Sequence, residues 1–471
     1  MVVGQIHDFL SRKGRDFSVD LLSRADTKER IKGCLERSNR WKQRKSPLQP
    51  MLMVWLILCL PLFRARSIPN VLAYLLAALR AAGSILPLKP VTDGALSHAR
   101  KRIGVQPLKS LFQETARSKT YAPTFHGLRV SSIDGSMLTV PDTPANERKF
   151  GRPGTGQGKA AWPQMRAVTI VDVRSHRIRA ANLGRCKGKG EGERSLAVPL
   201  LDELGVGDLI LMDRGFYSAP QLSRLLERKV DFISRMILQA KPKILQCIGP
   251  GDYVVKIKGR RLKSPEDTCQ SRRRALGKTV SFTFTARMIV YRVKGAREPV
   301  CLVTSLLDSQ SIPAVDIIHC YHDRWESETS YDEIKVHMAS VKHGSQHTIF
   351  RSKNPDFVEQ EFWAMLCVYN LVRELMQEVA TAHGFSPLEL SFVDFVHALE
   401  YLIPEVQSAK DFQLPYLYRR VIWDLAQCRL RRTRRHRAYE RVVKVKLSKY
   451  GSKKPGHGQR IRNIDEELCL V

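Results

Sequence analysis

The feature that most constrains this chain is a series of short strand-like runs that a helical pattern interrupts once. The runs cover residues 128–134, 166–173, 177–183 and 208–213, and the helical pattern SLAVPLLDEL lies between the last two. A strand, a helical crossover and a further strand in succession favour an α/β sheet. Residues 209–212 are continuously apolar, which is typical of a central strand that is buried on both faces.

Helical periodicity dominates the first 95 residues. Apolar and basic positions recur there with helical spacing, and residues 1–95 are predicted to form an all-α N-terminal domain. The most hydrophobic run, Met51–Phe63, has 13 residues and contains Pro61. A membrane-spanning helix needs about 20 apolar residues, so we predict a buried helix here.

The pattern of apolar residues after residue 95 predicts an α/β core that is divided by an insertion. Residues 233–317 alternate in the manner of β-strands and predict a β-rich insertion. This insertion separates a first core part, residues 96–232, from a second part, residues 318–405, where helical periodicity returns. Residues 406–471 form a basic C-terminal region.

The charge of the chain indicates a polyanionic partner. Lysine and arginine number 78 against 46 aspartates and glutamates, which gives a net charge of +32. Nucleic acid is the leading candidate, and we expect no membrane partner because no basic amphipathic helix or lipidation signal is present. The ten cysteines include no CxxC pair, and no secretory signal opens the sequence, so a cytoplasmic protein with reduced thiols is expected.

Two aspartates follow strand-like runs and are each followed within two residues by glycine. They are Asp134 in SSIDGS and Asp213 in LILMDRG. Ligands of open α/β sheets bind at the carboxyl ends of strands, although an aspartate at such a place is often only a turn former. Together with a glutamate from a later helix, the two aspartates could hold two divalent cations for phosphodiester chemistry.

The segment YHDRWESETSYDEIK, residues 321–335, supplies candidate glutamates. In one continuous α-helix, each residue turns the chain by about 100°, and four of its side chains would fall within an arc of roughly 60°. These four are Tyr321, Arg324, Glu328 and Lys335. A solvated helix face explains the same spacing, because Asp332 shares this face and geometry alone does not single out Glu328.

The order Asp134, Asp213, Glu328, with a β-rich insertion before the glutamate and the signature Tyr-x2-Arg-x3-Glu-x6-Lys, resembles the bacterial DDE transposases of the insertion sequence four family. The segments LILMDRGFYS, LVTSLL and YERVVKVKLSKY resemble that family too. The resemblance implies a ribonuclease H-like core in which Asp134, Asp213 and Glu328 are catalytic and bind two Mg²⁺ ions, with Mn²⁺ as an expected substitute.

The resemblance also implies roles for the flanking cations. Tyr321, Arg324 and Lys335 would hold the DNA of the transposon end. The C-terminal run RLRRTRRHR is expected to contact DNA phosphates as well, and its DNA-binding candidates are Arg431, Arg432, Arg434 and Arg435. The implied partners are double-stranded DNA, both terminal inverted repeats and target, and a second copy of the chain in a homodimer. The expected location is the bacterial cytoplasm, at the nucleoid when DNA is bound.

The family excises and integrates DNA through hairpin ends, and one departure bears on that step. Relatives hold a flipped base with an aromatic residue, often a tryptophan of the insertion, but residues 233–317 contain no tryptophan. Stacking requires only a π face. Tyr253, Phe282, Phe284 and Tyr291 are therefore the alternative candidates.

Two other functions fit the same residues. A stand-alone endonuclease on the ribonuclease H-like fold would cut DNA without strand transfer. A non-catalytic DNA-binding protein derived from a transposase would bind without cutting. Both alternatives stay open at the level of the sequence, although the three acids favour catalysis.

Overall fold

The computed structural model describes most of the central part of the chain. It covers residues 25–41, 47–64, 66–81, 91–117, 122, 124–155, 158–160, 162–237, 240–262, 279–293, 298–338, 341–343, 346–348, 350–408, 413–430, 437–438, 462–463 and 468–470. The candidate DNA contacts Arg431, Arg432, Arg434 and Arg435 lie outside the described residues.

In the described chain, five helices precede the first strand, and helices and strands are mixed after it. The helices are α1 Ala25–Arg37, α2 Pro50–Cys59, α3 Ile68–Ala81, α4 Asp93–Ile103, α5 Gln106–Arg117, α6 Pro144–Phe150, α7 Glu193–Leu201, α8 Ala219–Glu227, α9 Ala314–His322, α10 Trp325–Asp332, α11 Pro355–His383, α12 Phe392–Ser408 and α13 Leu414–Ala426, with a π-helix at Glu333–Met338 and a 3₁₀ helix at Pro387–Glu389. The strands are β1 Arg129–Thr139, β2 Gly154–Thr155, β3 Gly158–Lys159, β4 Gln164–Asp172, β5 Ile178–Arg185, β6 Asp208–Met212, β7 Asp231–Arg235, β8 Lys243–Gly249, β9 Asp252–Leu262, β10 Thr279–Val293, β11 Val300–Thr304, β12 Val341–His343, β13 Gln346–Thr348, β14 Arg437–Ala438, β15 Arg462–Asn463 and β16 Leu468–Leu470.

The chain divides into two compact units. The first contains residues 1–204 and 323–429, and the second contains residues 205–322 and 430–471. Both contain helices and strands, so the predicted α/β class is confirmed. None of the described helices is long and apolar enough to cross a membrane. All nine described cysteines are free thiols.

In the first unit, β1, β4 and β5 form an antiparallel layer with β4 in the middle. Residues 168–172 of β4 and the following Val173 are buried, because this part of the chain consists mainly of branched and small apolar residues that pack on both faces. Helix α7 packs on β4 and β5, and helix α10 packs on β1 and β4. The layer therefore supports the segment that contains Glu328.

The helical core of the first unit is built around α2 and α11. Residues 52–59 of α2 are all buried, as expected of a helix that is apolar all round. This confirms a buried helix within the predicted run Met51–Phe63, but the helix ends at Cys59. Helix α11 begins where the Asn354 side chain accepts a hydrogen bond from the Asp356 N–H, and it ends at Gly384, whose φ of 73° is left-handed. Helices α2 and α5 pack against α11.

The second unit contains a mixed sheet. Strands β6 and β7 pair in parallel, with α8 as the connection between them, and every residue of β6 is buried, as the sequence predicted. Strand β11 then pairs antiparallel with β7 and β10, and β9 pairs antiparallel with β10 and β8. Strand β16 pairs with the far end of β10. The boundaries of the predicted β-rich insertion remain a prediction.

Candidate active site

Asp134 lies in the middle of β1, opposite Thr169 of β4. The sequence predicted a strand end at this aspartate, and that prediction was wrong, because β1 continues to Thr139 and its pairing with β4 extends to the same point. The Oδ1 atom of Asp134 accepts a hydrogen bond from the Gly135 N–H at 2.8 Å. The backbone of β1 thus fixes one carboxylate oxygen of this half-buried residue.

The segment 321–335 is not one α-helix, so the predicted single face is also wrong. Helix α9 ends at His322, α10 begins at Trp325, and a π-helix takes over at Glu333. The Arg324 carbonyl marks the break and accepts hydrogen bonds from the Ser327 N–H at 3.2 Å and the Ser327 hydroxyl at 2.9 Å. π-Turns are wider than α-turns and frequently occur at functional sites, so the 100° spacing does not extend to Lys335.

Buried hydrogen bonds fix the position of α10 relative to β1. The Ser132 hydroxyl lies 3.3 Å from the Arg324 carbonyl and 3.2 Å from the Ser327 hydroxyl. One turn further on, the Tyr331 hydroxyl donates to the Asp134 carbonyl at 3.2 Å and accepts from the Thr169 hydroxyl at 3.0 Å. The strand with Asp134 and the helix with Glu328 are therefore held in one register by side chains that lie one to three residues from the two acids.

Glu328 lies on the outer side of α10 with 44% of its side chain exposed. Its Oε1 atom is 3.1 Å from the Arg324 guanidinium, which is itself buried and lies 4.8 Å from the centre of the Trp325 ring. The two signature residues Arg324 and Glu328 thus form an ion pair one helical turn apart. The arginine holds the Glu328 carboxylate in a defined position, and the exposed part of the Glu328 side chain remains accessible from solvent.

Lys335 approaches the same region from the π-helix. Its ammonium lies 5.6 Å from the centre of the Tyr331 ring. Burial lowers the pKa of Lys335, whereas the negative charges of Asp134 and Asp332 act in the opposite direction. Burial also raises the pKa of Tyr331, and the charge of Asp134 adds to this effect. Lys335 is therefore a cation within electrostatic reach of Asp134.

The opposite side of the same helical segment is held by a buried ionic network that the sequence did not reveal. Glu333 forms an ion pair with Arg373 and accepts a hydrogen bond from the Tyr369 hydroxyl at 2.7 Å. His176 bridges this pair to α10, since its Nδ1 is 2.7 Å from Arg373 and its Nε2 is 2.7 Å from Glu326. Burial would raise the pKa of Glu333, but Arg373 and His176 hold it down to about 2.

A further carboxylate that sequence reasoning missed lies beside Gly135. A Cβ atom at Gly135 would come within 2.6 Å of both Cγ and Cδ of Glu193, so this glutamate occupies the space that a larger residue would need. Glu193 is the first residue of α7 and lies 3.8 Å from Arg166. The glycine after Asp134 was the available signal, because a glycine inside a strand often marks a close approach.

Asp213 belongs to the second unit and follows directly after β6. Here the predicted strand end is confirmed. Its Oδ1 atom accepts a hydrogen bond from the Phe216 N–H at 3.1 Å, so the side chain caps the turn that leads towards α8. The carboxylate lies partly exposed at the carboxyl end of a strand that pairs in parallel, which is the usual place for ligand-binding residues in such sheets.

Tyr321, the remaining signature residue, is buried in the second unit with 8% of its surface exposed. It lies near Tyr291, whose pKa is raised by burial and by the neighbouring Tyr321. Of the other insertion aromatics, Phe282 and Phe284 stack with ring centres 6.3 Å apart. Within the part of the chain that the structure describes, no group of three or more aspartate, glutamate, histidine or cysteine side chains is arranged to hold a metal ion.

The sequence that contains these acids and cations matches a known class of enzyme. Residues 125–371, which include Asp134, Asp213 and Glu328, match the transposase DDE domain. This domain implies a ribonuclease H-like fold and a divalent metal cofactor. Residues 17–113 match the N-terminal domain of insertion element 4 transposases. The chain is therefore a DNA transposase, and it belongs to the DDE transposases of the insertion sequence four family.

One relative that matches nearly the whole chain supports this assignment. The chain is 32% identical over 463 residues to the transposase InsG for insertion sequence element IS4 of Escherichia coli strain K12, which covers 96% of this chain and 98% of the relative. It is 27% identical over 206 residues to the putative transposase InsZ of the same strain, covering 42% of this chain and 65% of the relative. A piggyBac transposase synaptic complex with hairpin DNA is similar at 12% identity and a TM-score of 0.41, over 87% of this chain and 84% of that one.

Proposed function

We propose that this transposase excises and integrates its own insertion sequence, with Asp134, Asp213 and Glu328 as the catalytic acids. Water would attack the phosphodiester at the element end and release a 3′ hydroxyl. That hydroxyl would attack the opposite strand, which forms a hairpin and displaces the flanking DNA. A second water would hydrolyse the hairpin and regenerate the 3′ hydroxyl, which would then join target DNA by displacing a 3′ oxygen of the target strand. The observation that carries the proposal is the buried hydrogen bonding that registers Asp134 with the helix that holds Glu328.

The chemistry of the three side chains fits a divalent cation. All donors are carboxylate oxygens, which Mg²⁺ and Mn²⁺ prefer, and Glu328 is accessible with 44% of its side chain exposed. Asp134, Asp213 and Glu328 would hold the ions. When bound, Mg²⁺ would lower the pKa of the attacking water and stabilise the negative charge on the leaving oxygen.

The cations next to the acids would orient the DNA. Arg324 now pairs with Glu328 at 3.1 Å, and we propose that it transfers part of its hydrogen bonding to a phosphate when the substrate enters. A guanidinium suits this because its five donors can serve a carboxylate and a phosphate together. Lys335 would hold a second phosphate close to Asp134. The proposed DNA contact of Tyr321 rests on the signature Tyr-x2-Arg-x3-Glu-x6-Lys, and its side chain is buried in the second unit.

The proposal includes a homodimer that holds both element ends and acts in the cytoplasm on nucleoid DNA. A stand-alone nuclease of the same fold would bind and cut without joining strands, so the formation of joined products separates it from a transposase. Size measurement of the protein with two labelled ends tests the dimer. A complex with one protein copy for each pair of ends contradicts that part of the proposal.

An excision assay tests the proposed function. Purified protein is incubated with Mg²⁺ and a labelled plasmid that carries the gene with its native flanks, beside the variant Glu328→Gln. This substitution keeps the size of the side chain and removes one metal-binding charge. We expect the wild type to release the element or form hairpin ends and the variant to bind only. Binding without cutting by both proteins, with Mn²⁺ also tried, would contradict the proposal.

A further inference from the structure

One exposed face of the second unit has a regular pattern of positive charge. Strand β9 presents Lys256, Lys258 and Arg260 at alternate positions, all of them exposed. Because side chains at alternate positions point to the same side of a strand, these three share a face. We call it the basic ribbon face, and it also contains Lys243 of β8, which pairs with Lys256.

The neighbouring strand adds hydroxyl groups to the basic ribbon face. In β10, Thr285 lies opposite Lys256, and Thr283 lies opposite Lys258. Both threonines are exposed. Directly opposed residues of antiparallel strands have their Cβ atoms about 5 Å apart on the same side of the sheet. Each lysine therefore has a hydroxyl donor beside it, and these are the side chains that proteins use on phosphate oxygens.

The other face of the same strands is apolar and covered. Val255 and Ile257 of β9 are buried, and so is Ala286 of β10. Helix α8 packs against β9. The two faces of this ribbon therefore have opposite chemistry, and the charge is not distributed at random around the strand.

The base of the basic ribbon face is rigid. Arg287 and Asp252 lie on the same side as Lys256 and form a buried bidentate ion pair at 2.8 and 2.6 Å. Arg287 also donates to the Ile312 carbonyl at 2.7 Å. No described carboxylate forms a salt bridge with the three β9 cations or with Lys243. The only acid on this side near β9 is thus neutralised, within the described residues.

We infer that the basic ribbon face binds the phosphate backbone of duplex DNA. Alternate residues of an antiparallel strand are about 6.8 Å apart, and one DNA strand has a phosphate for each 3.4 Å of helix axis. Because the DNA backbone also winds around that axis, neighbouring phosphates lie further apart than this axial rise, and the spacing of successive cations on β9 is on the scale of neighbouring phosphates. The contacts use charge and hydroxyl groups, so the binding is independent of base sequence. This inference rests on the proposed function and adds a DNA-contacting surface to it.

The test is the salt dependence of DNA binding by the full-length protein. Anisotropy of a fluorescent duplex from the native flank is measured in EDTA, so that no cutting interferes, between 50 and 200 mM salt. Each phosphate contact contributes about 0.9 to the slope of log affinity against log salt. The slope of the double variant Lys256→Gln/Lys258→Gln should be smaller by about 1.8. Between 50 and 200 mM salt, the wild type should therefore lose about twelve times more affinity than this variant.

A matched control removes the same charge from the same unit. Arg228 and Lys229 are exposed at the end of α8, and Arg228→Gln/Lys229→Asn should keep the wild-type slope. Asparagine is chosen because Lys229 has a positive φ of 55°, which asparagine tolerates. The conservative variant Lys258→Arg should also keep the slope, whereas Lys258→Gln alone should lose about half of the effect.

Equal slopes for the ribbon variant and the wild type would overturn the inference, and so would an equal loss in the Arg228/Lys229 control. The outcome is independent of catalysis. If the wild type cuts its ends but the slopes are equal, only the basic ribbon face is refuted. If the slope falls as expected but no protein cuts, the proposed function fails while the DNA-binding face stands. Thermal melts of each variant confirm that it is folded.

Discussion

The hydroxyl group of Tyr331 offers the most direct test of how the first unit positions its two acids. The change Tyr331→Phe keeps the ring and removes one oxygen. In the structure this oxygen donates to the Asp134 carbonyl at 3.2 Å and accepts from the Thr169 hydroxyl at 3.0 Å. Because the side chain is buried, water does not replace either bond, and we expect the variant to lose about 1 to 3 kcal/mol of unfolding free energy.

The effect on the reaction should be larger than the effect on DNA binding. If β1 and α10 shift relative to each other, Asp134 and Glu328 no longer sit at their proper separation, and a misplacement of about 1 Å can cost roughly 100-fold in rate. We expect the cutting rate to fall by about tenfold or more. DNA affinity should stay within about twofold, since no phosphate-binding charge is removed.

The assay combines urea unfolding with single-turnover cutting of a labelled element end at saturating protein. Thr169→Val is the matched control, because it removes the donor to Tyr331 but leaves the bond between Tyr331 and the Asp134 carbonyl. It should retain most of the cutting rate. A variant Tyr331→Phe that is destabilised but cuts at the wild-type rate would refute the positioning argument, and one with unchanged stability would refute the hydrogen bonds themselves.

Three further predictions concern neighbours of the same segment. Glu333→Gln should cost about 3 to 5 kcal/mol of stability, because Arg373 would be left as a buried charge without its partner, and urea unfolding measures it. The pKa of Glu333 is lowered from 4.5 to about 2 in the folded protein. The stability that this group contributes is therefore fully present above pH 4.5 and falls by about 3 kcal/mol as the pH drops towards 2. A Glu333→Gln variant that loses as much stability in acid as the wild type contradicts this. Lys335→Ala should weaken binding to the element end and lower the salt slope by about 0.9, measured by anisotropy, and an unchanged slope would exclude a phosphate contact. Gly135→Ala should slow cutting, because the added Cβ would clash with the Glu193 side chain and shift β1. Gly135→Ala/Glu193→Ala should relieve the clash and restore cutting, whereas a double variant as slow as the single one would assign the defect to the strand itself.

Much of the framework was predictable because it depends on local pattern. The continuously apolar β6 and the all-apolar α2 are both buried as expected, since burial on every side leaves no polar positions in the sequence. The local pattern did not predict where β1 ends. The length of this strand depends on its pairing with β4, which lies about 30 residues away in the sequence.

Three glutamates in or near the signature show why the catalytic acid could not be identified from the spacing of residues in the sequence alone. Glu326, Glu328 and Glu333 lie within eight residues of one another, and helical spacing alone cannot rank them. Two of them are occupied on the inner side: Glu326 contacts His176, and Glu333 contacts Arg373. These partners are 150 and 40 residues away in sequence, so no local pattern indicates them. Glu328 is the exposed member, and Lys335 lies half-buried within electrostatic reach of Asp134, while the other two acids stabilise the segment from its inner side.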